Sequence, residues 1–298
     1  MDHVMNANHD NVHTISAAAI SHDAGKAAPI SIATEIGVTT RSPAFAKVVA
    51  AKSGDGAGKT NTKNTSGSSS VDGVRVLTLA DFKGAAMSLA EAFRDDHSSM
   101  YFTHTPDRKD WSEQQRWELH VKIMEYITYA HILKGLVLSA GPNYDCVALW
   151  MPPGQNMDDY LTILRSGMWR LNYQLSAEGR NRFFDEFLPL LNSTKAQVLG
   201  DRDDSSWYLV YIGTRASGRG KGYARKVIDY VTDVADREGR ACYLESSKEV
   251  NQRIYGRMGF EVVKKVYLQR EREAVELDIM VREPKRRETD GDSGVFVE

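Results

Sequence analysis

Four glycines, Gly213, Gly218, Gly220 and Gly222, crowd ten positions and alternate with three cations, Arg215, Arg219 and Lys221. Such a turn can hold a phosphate: the missing side chains let an anion reach the backbone, and the cations add formal charge. Two further side chains have proton chemistry. Glu245 is a carboxylate inside the apolar run Cys242-Tyr243-Leu244-Glu245-Ser246-Ser247, where it needs a partner or a function. Tyr255 stands four residues after Asn251, so on a short helix both project from one face.

The elements that must position these groups are legible around them. Trp207-Tyr208-Leu209-Val210-Tyr211-Ile212 is long enough for one buried strand. From Gly220 the period changes, and Tyr223, Val227, Ile228, Val231 and Val234 recur at three and four, one face of a helix that Gly239 ends. Strand, glycine-rich basic turn and helix together form an anion site. The first-turn amides lack internal partners and the macrodipole places positive charge there.

Arg219-Gly220-Lys221-Gly222-Tyr223-Ala224 has the form [Q/R]-x-x-G-x-[G/A], which resembles the coenzyme A pyrophosphate loop of the GNAT acetyltransferases. A second block, Asn251, Tyr255 and Met258-Gly259-Phe260, resembles the family's N-x-x-x-Y-x-x-x-G-F pattern. The wording from Trp207 to Phe260, under a third of the chain, is similar to the puromycin N-acetyltransferase branch. The resemblance implies an α/β fold with a mixed central sheet splayed between the strand at 207–213 and the strand at 241–246, with helices on both faces. It implies acetyl transfer from acetyl-CoA to an amine, with no metal.

In that layout the backbone of Tyr211, Ile212 and Gly213 serves the oxyanion and the pantetheine arm, and Gly213 keeps the approach clear. Arg219, Gly220, Lys221, Gly222, Tyr223 and Ala224 serve the pyrophosphate; Arg215 is either part of this set or simply solvated. The family's matching tyrosine implies that Tyr255 donates a proton to the departing sulfur, and Asn251 contacts the cofactor arm or fixes a turn. Many family members carry a carboxylate on the central strand, but residues 207–212 contain none. Glu245 is the substitute base; a structural, hydrogen-bonded glutamate fits the same burial argument, and an acceptor of low pKa needs water alone. The acceptor expected is a small-molecule amine, an antibiotic or other aminated metabolite. The alternatives are a peptide or protein lysine acetyltransferase and a non-catalytic acyl-CoA-binding module.

Composition narrows the rest. With 38 basic against 40 acidic residues in 298, no global field attracts nucleic acid or anionic membrane. No apolar run approaches the twenty residues of a membrane span, so a soluble protein is expected. Cys146 and Cys242 sit in strand-like runs as ordinary buried thiols, which with the absence of a leader pattern suggests the cytoplasm. Residues 1–72, poor in aromatics and ending in a Ser/Gly/Thr/Asn/Lys tract, are expected to be a disordered extension. His3, His9, His13 and His22 are too irregularly spaced for a metal site, and Ser53 to Thr60 mimics a P-loop without its first glycine or its helix.

The acetyltransferase domain is expected over 73–282 and a disordered tail over 283–298. Within the domain, a strand at 74–79 leads into a helix capped by Asp81, a loop over 95–106, and a helix over 112–134. Met100, Tyr101 and Phe102 are candidates for the acceptor wall, with core packing the simpler reading. A hairpin turning at Gly141-Pro142-Asn143, a helical insertion over about 157–198, and a closing antiparallel pair at 262–268 and 275–281 complete the expected order.

Overall fold

A computed structural model describes residues 70–71 and 73–285. Almost all of the expected extension over 1–72, the P-loop look-alike and the tail beyond residue 285 lie outside the described residues. The described residues begin with β1 (Ser70–Val71) and β2 (Val74–Val76), then α1 (Phe82–Ala92), α2 (His97–Thr103) and α3 (Glu113–Lys134). The hairpin β3 (Leu136–Ala140) and β4 (Cys146–Met151) follows. Next come the insertion helices α4 (Tyr160–Ser166), α5 (Leu171–Gln174), α6 (Ala177–Arg180) and α7 (Leu188–Leu199), with a π-helical stretch over Asn181–Phe187. β5 (Trp207–Thr214), α8 (Tyr223–Glu238), β6 (Cys242–Ser246), α9 (Glu249–Gly256), β7 (Glu261–Leu268) and β8 (Val275–Arg282) close the domain.

The strands form one mixed sheet in the order β1-β2-β3-β4-β5-β6-β8-β7. Every neighbouring pair is antiparallel except β5 and β6. A parallel pair needs a crossover, and α8 supplies it. The central hairpin is buried on both sides, as its unbroken runs Leu136-Val137-Leu138 and Cys146-Val147-Ala148-Leu149-Trp150-Met151 require. One face packs α1, α3 and the insertion through Leu89, Ile123, Ile127, Phe183 and Leu191. The other packs α8 and α9 through Val227, Val231, Val234 and Tyr255. The α/β fold with helices on both faces is therefore as expected.

Three local expectations change. The first strand stops at Val76 rather than 79, because the Asp81 carboxylate accepts from Thr78 N at 2.9 Å and Thr78 Oγ1 at 3.0 Å and closes a turn. Asp81 therefore makes no side-chain cap to α1; it also accepts from Tyr144 at 2.9 Å, tying this turn to the β3–β4 turn. The expected loop over 95–106 contains α2, whose N-cap Asp96 accepts from the amides of Ser98 and Ser99. By contrast Ser112 caps α3 in a capping box with Gln115, at the expected boundary.

Candidate active site

The parallel pair is short. β5 and β6 share only three rungs, Trp207↔Cys242, Tyr208↔Tyr243 and Leu209↔Leu244. Beyond them β5 stays with β4, through Tyr211↔Leu149, Ile212↔Ala148 and Gly213↔Val147. β6 stays with β8, through Glu245↔Ile279 and Ser246↔Asp278. The two strands thus part into a fork. The parting coincides with a bulge: Trp150 faces Leu209 and Leu149 faces Tyr211, leaving Val210 as the extra residue. As a result Leu209 and Ile212 both pack on the α8 face, whereas Tyr208 and Tyr211 both pack on the α1 face. Tyr211 meets Phe93 edge to face at 5.3 Å.

The glycine-rich loop lies open at the head of α8. Residues 219–222 are exposed, and Tyr223 and Ala224 are half-buried. Gly220 and Gly222 have φ of +75° and +74°, and a Cβ at either would meet nothing within 4 Å. Backbone conformation, not crowding, calls for glycine there. α8 has no side-chain cap and no acidic residue in its first turn, which instead contains Arg225 and Lys226. Cations at that end oppose the macrodipole, so the helix mouth has positive charge to spare for an anion. The β3–β4 turn braces the loop: Asp145 O accepts from Arg215 N at 2.8 Å, and its Oδ1 accepts from Ser217 Oγ at 2.9 Å.

One loop residue has a further reason to be glycine, and the reading of another is corrected. Gly213 is required by α1, since a Cβ there would lie 2.7 Å from Ala92 Cβ and 3.1 Å from Leu89 Cδ2. Arg215 is neither solvated nor turned to the anion site; its guanidinium pairs with Glu91 at 2.8 Å and donates to Asn143 O at 3.0 Å.

Glu245 is the first residue of β6 past the last shared rung. Its Oε2 accepts from the Tyr208 phenol at 2.7 Å, and its Oε1, itself buried, has no hydrogen-bond partner among the described residues. Burial pushes the carboxyl up to about 7, against the opposing pull of the Tyr208 and Tyr243 phenols and the Lys195 charge. Such a group is half ionised near neutrality, as a proton acceptor should be. Tyr255 lies on the other side of the sheet, buried against Phe260 at 6.0 Å between ring centres. Burial, with a smaller contribution from Cys146, raises its phenol above the ordinary value, so it keeps its proton. Asn251 Nδ2 donates to Ser246 Oγ at 3.2 Å, which fixes the β6–α9 turn.

Sequence reasoning did not single out Tyr208 or Asp96. Asp96 is almost wholly buried, and its Oδ2 accepts from Ser247 Oγ at 2.7 Å, joining the α1–α2 junction to the residue after β6. The sequence signal for it is an N-cap carboxylate ahead of Ser98 and Ser99. Tyr101 and Phe102 are core residues: the Tyr101 phenol donates to Glu186 and accepts from Arg270 N at 2.8 Å. Arg182, 2% exposed, donates to Tyr101 O at 2.9 Å, Glu178 at 3.0 Å, Glu271 at 2.6 Å and Arg270 O at 2.9 Å. It clasps the insertion to α2 and to the β7–β8 hairpin. Among the described residues no group of three or more His, Cys, Asp or Glu side chains could hold a metal ion. None of the described helices is long and apolar enough to cross a membrane.

No protein-family model matches the chain. A Schizosaccharomyces pombe protein named as an uncharacterized N-acetyltransferase is 51% identical over 205 residues, which are 69% of this chain and 81% of that protein. Among solved structures, "histone acetyltransferase HPA2 and related acetyltransferase" from Corynebacterium glutamicum is 22% identical, with 72% of this chain and 97% of that one covered at a TM-score of 0.42. Arylalkylamine N-acetyltransferase 2 from Aedes aegypti is 15% identical, with 71% and 98% covered and a TM-score of 0.45. A polyamine N-acetyltransferase from Drosophila melanogaster is 11% identical, with 70% and 98% covered and a TM-score of 0.45.

Proposed function

The chain belongs to the GNAT-type N-acetyltransferases, and from that premise we propose that it moves acetyl from acetyl-CoA to the amine of a small molecule. The observation that carries the reading is the fork: two neighbouring strands part after three rungs, beside an uncapped, cation-bearing helix mouth. Acetyl-CoA supplies a thioester and a diphosphate. Residues 219–224 suit the diphosphate, because their backbone is open and both left-handed positions are glycine. The backbone of Tyr211, Ile212 and Gly213 lines the prong of β5 that β6 has left, where polar groups can pair with an extended arm.

Each proton has a holder. Glu245 takes the proton from the acceptor ammonium, through a carboxylate whose affinity lies near neutrality. Tyr255 holds a proton for the departing sulfur, since its phenol stays protonated. Asn251 acts indirectly, by fixing the turn that aims α9. A small-molecule acceptor is supported by the likeness of residues 207–260 to the puromycin N-acetyltransferase branch. It is further supported by the insertion, which packs on the same face as Tyr208 and Tyr243. Two buried free thiols, Cys146 and Cys242, fit a reducing compartment, and we place the protein in the cytoplasm.

Calorimetry with acetyl-CoA, followed by thiol release with a panel of small amines and lysine peptides, tests the reading. Binding together with release on small amines is the expected result. Release on peptides alone would move the acceptor class to protein lysines, and binding without release on either would overturn the reading.

A further inference from the structure

We infer that Tyr208 is a positioning residue for acetyl transfer, holding one oxygen of Glu245 at the root of the fork and leaving the other for the acceptor's proton. The inference rests on Glu245 as the proton acceptor and adds what sets its geometry and proton affinity. Tyr208 pairs with Tyr243 in parallel register, so Glu245, two residues on, shares their face. Two residues along a strand span about 6.6 Å, within reach of a phenol from the neighbouring strand. The observed bond is 2.7 Å.

Tyr208 is itself held in place. Its ring meets Tyr243 edge to face at 5.4 Å, and Lys195 Nζ lies 5.9 Å from its ring centre, anchored in turn by Asp203. Burial and the Glu245 charge raise the Tyr208 phenol well above its ordinary value, so it remains a donor. The groups that face Glu245 are Tyr208 and Tyr211 from β5, Tyr243 from β6 and Lys195 from α7, while β8 presents Ile279 opposite it. Tyr208 provides the short bond among them. A bond that favours the carboxylate lowers its pKa, so losing it raises the already high value further.

Difference infrared spectroscopy can follow the protonated carboxyl of Glu245, assigned by its loss in Glu245→Gln, without any turnover. Tyr208→Phe keeps the ring and should raise the titration midpoint by about one to two pH units. The acid limb of kcat/KM should move with it, giving roughly a fivefold or greater loss at pH 7 that is recovered at high pH. Placing 3-fluorotyrosine at position 208, a more acidic donor of nearly the same shape, should move both in the opposite direction, which guards against a misfolded phenylalanine variant. If the infrared midpoint moves but the kinetic limb does not, Tyr208 still sets the affinity of Glu245, and Glu245 is not the base. A midpoint unmoved by both replacements overturns the inference.

Discussion

Glu245 combines a cost and a use in one side chain. Its folded pKa of about 7 exceeds the ordinary 4.5, so between those values the folded protein binds more protons than the unfolded chain. Its contribution to stability is therefore fully present below about 4.5 and is lost as pH rises through about 7. Glu245→Gln should thus melt higher than the parent at pH 8, with the gap closing below pH 4.5, as thermal unfolding across pH will show. With Glu245 as the proposed proton acceptor, activity should run the other way, because only the deprotonated carboxylate can accept a proton. Tyr255 makes a different demand. Tyr255→Phe preserves the packing on Phe260 and should lower kcat by about a hundredfold, with the Kd for acetyl-CoA unchanged in calorimetry. An unchanged kcat would remove the phenol from the mechanism.

At the scale of elements, the glycine-rich loop and α8 are the parts most plainly written in the sequence. Gly220, Gly222 and Gly239 mark left-handed positions in fact, and the apolar stripe from Val227 to Val234 is the buried face. Gly222→Ala should cost about 1 kcal/mol of stability, for its positive φ alone, and weaken acetyl-CoA binding about tenfold by disturbing the loop amides. Binding of an acetyl-pantetheine fragment lacking the diphosphate should not change, and isothermal titration of both ligands separates these effects. Other parts of the site were illegible for a physical reason. The hydrogen bond from Tyr208 to Glu245 depends on a strand register that no local pattern reports. Gly213 reads as clearance for a ligand, and nothing local shows that α1, 121 positions earlier at Ala92, also needs the space. The Asp81 carboxylate sits where a cap is expected, but Thr78 and Tyr144 offer it better-placed donors than the helix does.

For the molecule as a whole, cohesion of the face that packs α1 and the insertion depends on Arg182, which joins three stretches distant in sequence. Its guanidinium satisfies two carboxylates and two carbonyls in a setting with little access to water. Arg182→Met should lower the unfolding free energy by about 3 kcal/mol, read from the urea midpoint, because Glu271 and the two carbonyls lose this donor together while Glu178 keeps Arg270. The two cores that sandwich the sheet meet their sharpest constraint at Val210. Side chains along a strand obey a strict parity, and the supernumerary residue resets it once between Leu209 and Tyr211. Drawing Val210 into the ladder would exchange Tyr211 and Ile212 between the two compartments, pressing a phenol into the α8 layer and stripping Phe93 of its aromatic neighbour. Removing Val210 would instead leave both residues facing as they do now, so the strand tolerates the loss of its bulge but not its straightening.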